Sequence, residues 1–188
     1  PKREISVILP VLNEEKYLAD SVNSILSQNF VGAIEVILAV GPSQDETMKI
    51  AKSLEAKDPR VVVVENPTGK TAAGLNLAIA KTRYSIIVRV DGRSQIPIDY
   101  CETAFQILEK TGAVNVGGIM AAVGITNFQK ATARAMRSVI GVGPSKFHTG
   151  GKSGPAETVY LGVFKKNALL NIGGFDERFI RAQDWEMN

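Results

Sequence analysis

ISVILPVLNEEKYLADSVNSILSQ, residues 5–28, runs two periodicities together with only a short loop between them. Ile5 to Leu9 is a compact, β-branched run ended by Pro10, the pattern of a buried strand. From Glu14 to Gln28, Tyr17, Leu18, Val22, Ile25 and Leu26 recur at spacings of three and four, which predicts an amphipathic helix. The same succession continues downstream. Ile34 to Val40 reads as a second buried strand ended by Gly41-Pro42, and Asp45 as the cap of a helix running to about Ala56 with Met48, Ala51 and Leu54 inward. Val61 to Glu65, Thr71 to Lys81 and Ser85 to Val90 read as strand, helix and strand. Strands alternating with helices at this spacing predict an α/β chain with a mainly parallel sheet covered on both faces, joined by right-handed crossovers.

The second half is less regular. Pro97 to Lys110 reads as a helix, Ala113 to Ile119 as a strand and Asn127 to Val139 as a helix. Thr158 to Phe164 returns to strand character, Lys165 to Leu170 to a short helix, and Gly173 to Asp176 to a turn. Between them Gly141 to Pro155, rich in glycine and holding the only histidine, has no period and is expected to be a loop.

With 188 residues, 45% of them hydrophobic, the chain suits one domain with a substantial core. The net charge of +3 is mild and the basic residues are spread rather than blocked, which argues against a nucleic-acid partner. It still suits an anionic ligand or an anionic membrane surface. No apolar run reaches the length of a membrane span, and the first one is too short for a signal peptide. One cysteine, Cys101, gives no internal disulfide; a reducing, cytosolic setting and a buried thiol are expected. The chain opens at Pro1 and stops at Asn188 in mid-pattern, and is expected to be a piece of something longer.

Ligands of open α/β sheets sit at the carboxyl ends of the strands. That places Pro10 to Glu14, Val40 to Asp45, Asn66 to Thr71 and Asp91 to Pro97 together, with Asn13, Glu14, Asp45, Lys70, Asp91 and Arg93 as their polar residues. Gly69-Lys70-Thr71 and Gly151-Lys152-Ser153 lack the leading glycine of a P-loop, since Val64 and Lys146 stand there. Gly141-Val142-Gly143 is no dinucleotide fingerprint either, so neither an ATPase nor a dehydrogenase is supported. Asp91 is delivered by a buried strand and could hold Mg²⁺ or Mn²⁺ against phosphate oxygens; spacing alone rates an Asp-Gly turn as an equal reading. Asp184, just past a glycine-rich turn, reads on its own as a helix-start acid. His148 has no second histidine or cysteine nearby, which excludes a zinc site.

The ordered series of motifs adds more. Ser6 to Glu15, Ser24 to Gln28, Glu35-Val36-Ile37, Ser43 to Thr47, Gly74 to Ala78, Val90-Asp91-Gly92, Gly173 to Glu177 and Gln183 to Glu186 resemble the family 2 glycosyltransferases across essentially the whole chain. The second half is most similar to the branch that builds bacterial exopolysaccharides such as succinoglycan. The resemblance implies the GT-A fold, a Rossmann-like three-layer α/β/α sandwich with a mainly parallel mixed sheet, and a single catalytic domain over residues 1–188, cut short at its C-terminus. It implies inverting transfer from a nucleotide-diphosphate sugar to a hydroxyl of a saccharide or lipid-linked acceptor, in cell-surface polysaccharide synthesis. The setting would be cytoplasmic, at the inner face of the plasma membrane, with peripheral membrane contact.

In that likeness Pro10, Leu12 and Glu14 line the nucleoside pocket with Lys70 near it, and Asp91 is the first acid of the metal-binding Asp-X-Asp motif, followed by Gly92 and Arg93. A divalent cation, Mg²⁺ or Mn²⁺, would be the cofactor. Asp184 is the general base, and an in-line displacement at the anomeric carbon needs a carboxylate on that face. Trp185 beside it reads as a sugar-stacking acceptor-side aromatic or, equally, as a core residue. His148 and Lys152 on the Gly141–Pro155 loop, expected to be an acceptor-side lid, suit an anionic acceptor.

Two departures from the family pattern stand out. Val40-Gly41-Pro42 has no acid to read the base, which leaves that work to backbone groups. Arg93 replaces the second acid of Asp-X-Asp, and would either bind the diphosphate directly or swing outward and leave Asp91 to hold the metal with water. A non-catalytic nucleotide-sugar binding module stays open as an alternative. A sugar nucleotidyltransferase is disfavoured, because Pro10 to Glu14 carries neither glycine nor Lys/Arg.

Overall fold

The computed structural model describes residues 2–138, 153–156 and 158–179. Among the described residues, six strands and six helices follow one another: β1 Glu4–Val11, α1 Leu18–Leu26, β2 Ala33–Val40, α2 Thr47–Lys57, β3 Val61–Glu65, α3 Thr71–Lys81, β4 Ile86–Arg89, α4 Tyr100–Thr111, β5 Asn115–Gly118, α5 Asn127–Ala135, β6 Tyr160–Lys165 and α6 Lys166–Asn171. They form one sheet in the order β3-β2-β1-β4-β6-β5. The first four strands are parallel neighbours, and β6 is antiparallel to both β4 and β5. The sheet is therefore mixed and mainly parallel, as the alternation of strands and helices predicts.

The period of two along the strands splits the core into two layers. Ile5, Val7, Leu9 and Val11 of β1, with Val36, Leu38 and Val40 of β2, face Val22 and Ile25 of α1 and Phe105 and Leu108 of α4. Ile8, Ile37, Ala39 and Ile87 face the other way, toward Ala72, Leu75 and Ile79 of α3 and Leu169 of α6. Burying a side chain of this size contributes about 1.5–3 kcal/mol, so the paired layers dominate the stability.

The helix predicted from Glu14 begins only at Leu18, because the loop before it folds back on the second strand–helix connection. Asn13 turns with φ 54°, Glu14 O accepts from Tyr17 N and Leu18 N, and Tyr17 is left exposed. The N-cap of α2 is Glu46 rather than the expected Asp45, which sits one residue earlier and whose Oδ1 accepts from Thr47 N at 3.1 Å and from the Thr47 hydroxyl. Ala51 is fully buried, with Met48 and Leu54 packed beside it. Cys101 lies in the first turn of α4, buried, with its thiol pushed up to about 12 by loss of solvent.

At the amino edge, the β2 carboxylate of Glu35 is buried against the α3 layer. Its Oε1 accepts from Ser6 Oγ at 2.6 Å and Arg83 N at 2.6 Å, and Oε2 from Arg83 Nε at 2.7 Å. Burial works to raise its pKa, but the Ser6 and Arg83 donors outweigh burial and hold it below the usual carboxylate range.

Candidate active site

The four parallel strands end at one edge, and the loops leaving them interlock there. The Pro10–Glu14 loop is central, as β1 lies between β2 and β4. On its β2 side, Asn13 N donates to Ser43 Oγ at 3.0 Å, Asn13 Oδ1 accepts from Gln44 N at 2.8 Å, and Glu14 N donates to Thr47 Oγ1 at 2.8 Å. Gly41 is needed for close approach: a Cβ there would lie 3.0 Å from Leu12 Cδ1 and 3.1 Å from Gly69 Cα. Gly69 itself turns with φ 66° against Pro42 and Leu12, and the exposed Lys70 follows it.

On the β4 side, Gly92 fits under the same loop. A Cβ at Gly92 would come within 3.2 Å of Glu14 Cγ and 3.5 Å of Pro10 O, and Ser21 Oγ donates to Gly92 O at 3.0 Å. Asp91 leaves β4 directly at this point, 38% exposed, with Oδ1 accepting from Arg89 Nη2 at 3.2 Å. Glu14 is nearly buried and takes both Nε and Nη2 of Arg93 on Oε1, at 3.0 and 2.7 Å. Arg93 stays 70% exposed. Asp91 and Glu14 thus each face a guanidinium, and the cationic side of these pairs opens toward solvent through Arg93.

β6 adds a flank that linear spacing gave no means of seeing. Tyr160 OH lies 3.1 Å from Ser94 Oγ, across 66 residues of sequence. Burial raises the Tyr160 pKa, the Asp91 charge adds to that, and the Ser94 bond and Arg89 charge oppose it. Leu161 next to it has φ 49°, unusual for a bulky side chain, and is held by Tyr100 OH donating to its carbonyl at 2.5 Å.

A third connection reaches the turn that precedes the Gln183–Glu186 motif. Asn76 of α3 donates from Nδ2 to Phe175 O at 2.8 Å and Glu177 Oε1 at 3.0 Å, and accepts from Phe175 N at 2.8 Å. Gly173 and Gly174 have φ 87° and 78°, and a Cβ at Gly174 would sit 2.6 Å from Asn76 Oδ1. Phe175 is thereby buried edge-on to Phe164, its ring 5.8 Å from the Arg89 guanidinium carbon.

The structure therefore brings Pro10, Leu12, Glu14, Lys70, Asp91, Gly92 and Arg93 to one edge. Val40 ends β2 there, but its side chain is buried in the α1–α4 layer, so only its backbone faces that edge. Asp184, Trp185, His148 and Lys152 lie outside the described residues. Arg89, Ser94, Tyr160 and Asn76 were missed as site residues. Arg89 had a signal, as the one charge inside Ile86-Ile87-Val88-Arg89-Val90.

Residues 6–173 match the model of Glycosyl transferase family 2. The chain belongs to that family. Among curated relatives, this family 2 chain is 33% identical over 184 residues to the succinoglycan biosynthesis protein ExoA of Rhizobium meliloti, covering 97% of the chain and 56% of ExoA. It is 24% identical to a dolichyl N-acetyl-glucosaminyl phosphate glucuronosyltransferase of Methanococcus voltae, over 98% of the chain and 60% of that protein. Of solved structures, the mannosyltransferase PcManGT of Pyrobaculum calidifontis, in complex with GDP-Man and Mn²⁺, superposes with a TM-score of 0.73 at 20% identity, over 100% of the chain and 51% of PcManGT. S. aureus TarS 1-349 in complex with UDP gives 0.70 at 18%, over 98% and 53%. The fold of this family 2 chain is GT-A, and the chain spans about half the length of these relatives.

Proposed function

We propose that the chain is the donor-binding and catalytic part of an inverting glycosyltransferase of cell-surface polysaccharide synthesis, working at the inner face of the plasma membrane. The observation that carries this reading is the interlocked carboxyl edge. Asp91 emerges there from buried β4 beside the Pro10–Glu14 loop, with Arg89 and Arg93 each within hydrogen-bond reach of an acid. A nucleotide-diphosphate sugar needs such a place: a groove for the nucleoside by Pro10 and Leu12, and cations for the departing diphosphate. Arg93 presents a 70% exposed guanidinium at this edge and can meet the phosphates, at the cost of loosening its bonds to the nearly buried Glu14.

In the reaction, the Asp184 carboxylate takes the proton of an acceptor hydroxyl. The hydroxyl oxygen forms the new bond to the anomeric carbon as the bond to the diphosphate oxygen breaks, and the nucleoside diphosphate leaves with the electron pair. The acceptor is a saccharide or lipid-linked hydroxyl. The role of Asp184 rests on its place in the Gln183–Glu186 motif.

A divalent cation fits the edge in one limited way. Among the described residues no three acids, cysteines or histidines gather to hold one. Asp91, half-exposed, is a carboxylate placed for it, and Mg²⁺ commonly binds through one carboxylate, substrate phosphates and water. Bound there, a metal would neutralise charge on the leaving diphosphate. Arg89 and Arg93 supply part of the same charge.

A thermal-shift screen across UDP, GDP, dTDP and their sugars, followed by transfer assays of Asp184→Asn, tests the reading. The expected result is stabilisation by one nucleotide family, with Asp184→Asn keeping donor binding and losing transfer. Absence of any nucleotide-sugar shift, or an Asp184→Asn protein with full turnover, would sink it. A non-catalytic nucleotide-sugar binding module is the second reading, favoured by the pairing of Arg93 with Glu14 where a second acid would stand. That module would bind the donor and show no transfer in the parent protein.

A further inference from the structure

From Lys110 to Ala156, both included, the chain has six lysines and arginines and no acid. All 19 acids lie elsewhere, against 16 of the 22 basic residues, so this segment alone makes the protein net positive. The basic residues are dispersed; it is acids that the segment lacks. Its described part, Ile119 to Ser138, also leaves large apolar side chains in water. Val123, Ile125 and Phe128 are 88, 83 and 82% exposed, and Ile119 is exposed as well.

The segment is nonetheless built. Thr126 and Gln129 form a capping box, with Gln129 N donating to Thr126 Oγ1 at 3.2 Å and Thr126 N to Gln129 Oε1 at 3.1 Å. Gly124 packs so tightly on the first turn of α5 that a Cβ there would be 2.2 Å from the carbonyl carbon of Gln129. Lys130 and Arg134, four apart, share one side of α5, and Arg137 follows in the turn just after it. Phe128, Ala131, Thr132 and Ala135 share another, and Ala133 is the one buried residue of α5. β5 runs parallel to β4, since both are antiparallel to β6, so Ile119 leaves the sheet at the same edge as Asp91.

We propose that Ile119 to Arg137 docks the protein on an anionic lipid bilayer, with Val123, Ile125 and Phe128 entering the interface and Lys130, Arg134 and Arg137 meeting the head groups. Exposed aliphatic and aromatic bulk beside cations, with no acid among them, is what such a surface accepts. A nucleic acid would satisfy the cations and leave Val123 and Ile125 in water. The docking surface is read from these residues alone; its use in presenting a lipid-linked acceptor rests on the proposed reaction.

Vesicle sedimentation of the chain tests it, with equal parts phosphatidylglycerol and phosphatidylcholine against phosphatidylcholine alone. Binding to the anionic vesicles only, weakened by salt, is expected. Lys130→Gln with Arg134→Gln should weaken it roughly 25-fold, at about fivefold per charge. Phe128→Ser should weaken it roughly tenfold or more. Phe128→Trp should still bind, with an added blue-shifted emission. Equal binding to neutral vesicles, binding to neither, or variants that sediment as the parent does would overturn the proposal. So would self-association in solution that Phe128→Ser abolishes, which would make a second copy the occupant. Every variant is also scored for donor thermal shift. A parent that binds vesicles but no nucleotide sugar would refute the enzymatic reading and leave this one standing.

Discussion

Replacing Asn76 with alanine removes one amide and should disconnect two parts of the site. The side chain makes three hydrogen bonds to residues 175 and 177, and two of them satisfy both backbone groups of Phe175. Phe175 is 2% exposed, so its peptide N–H and C=O would lose their partners away from water. An unsatisfied buried group costs about 1–3 kcal/mol, which gives roughly 2–6 kcal/mol for the pair. The strands β1 to β4 do not depend on this link, so the loss should appear as local undocking of residues 173–177 rather than global unfolding. Hydrogen exchange at the Phe175 amide should then accelerate by roughly 30-fold or more, up to roughly 20,000-fold, with the melting temperature of the parallel core much less affected. Donor hydrolysis or transfer should fall with it, since the Gln183–Glu186 motif follows that turn. Gly174→Ala should give the same signature, because its Cβ would press on Asn76 Oδ1 at 2.6 Å with φ 78° already unfavourable. An Asn76→Ala protein whose Phe175 amide exchanges as in the parent would refute the reasoning, whatever its activity.

Glu35→Gln should cost about 2–3 kcal/mol at neutral pH, measured by urea denaturation, because Ser6 Oγ and two Arg83 donors lose a charged acceptor. With the Glu35 pKa lowered in the fold, its contribution is present above the ordinary carboxylate pKa and lost as pH falls through the lowered value; the parent's acid-side decline should flatten in the variant. Arg93→Asp should cost more than about 1 kcal/mol in urea denaturation, since nearly buried Glu14 loses both guanidinium bonds and gains a like charge, and should make donor binding more dependent on Mn²⁺ by calorimetry. Cys101, its thiol buried and raised to about 12, should resist maleimide at pH 8 until the protein is denatured, which mass spectrometry can follow.

The parallel half was legible because its signals are local. β3 and α3 begin and end where the punctuation at Pro59, Pro67 and Thr71 places them, and Ala51 is buried as the helical spacing requires. Tyr17 misled because it continues the helical spacing by chance, whereas the contacts of Asn13 and Glu14 with Ser43 and Thr47 commit residues 14–17 to a turn. Those contacts span about thirty residues, and no period encodes them. Asp91 and Arg93 were legible as residues of the edge, but their separate partners, Arg89 and Glu14, were not. Arg89 is positioned by strand alternation, which carries chemistry only once Phe175 and Asp91 are known to be beside it. Tyr160 reaches Ser94 only through an antiparallel strand inserted into an otherwise parallel sheet.

That insertion has a consequence for synthesis. β6 separates β4 from β5 in the sheet although it follows both in the chain. As the polypeptide leaves the ribosome, β1 to β4 can assemble, but β4 is left with a bare rim and β5 has nothing to pair with. At about 5–20 residues per second, the stretch from Gly118 to Tyr160 takes roughly 2–8 s to emerge. For that interval the unpaired backbone of Ile86–Arg89, the strand that will carry Asp91, is open to any other extended chain nearby. The parallel half is therefore the half most in need of a chaperone while it is being made.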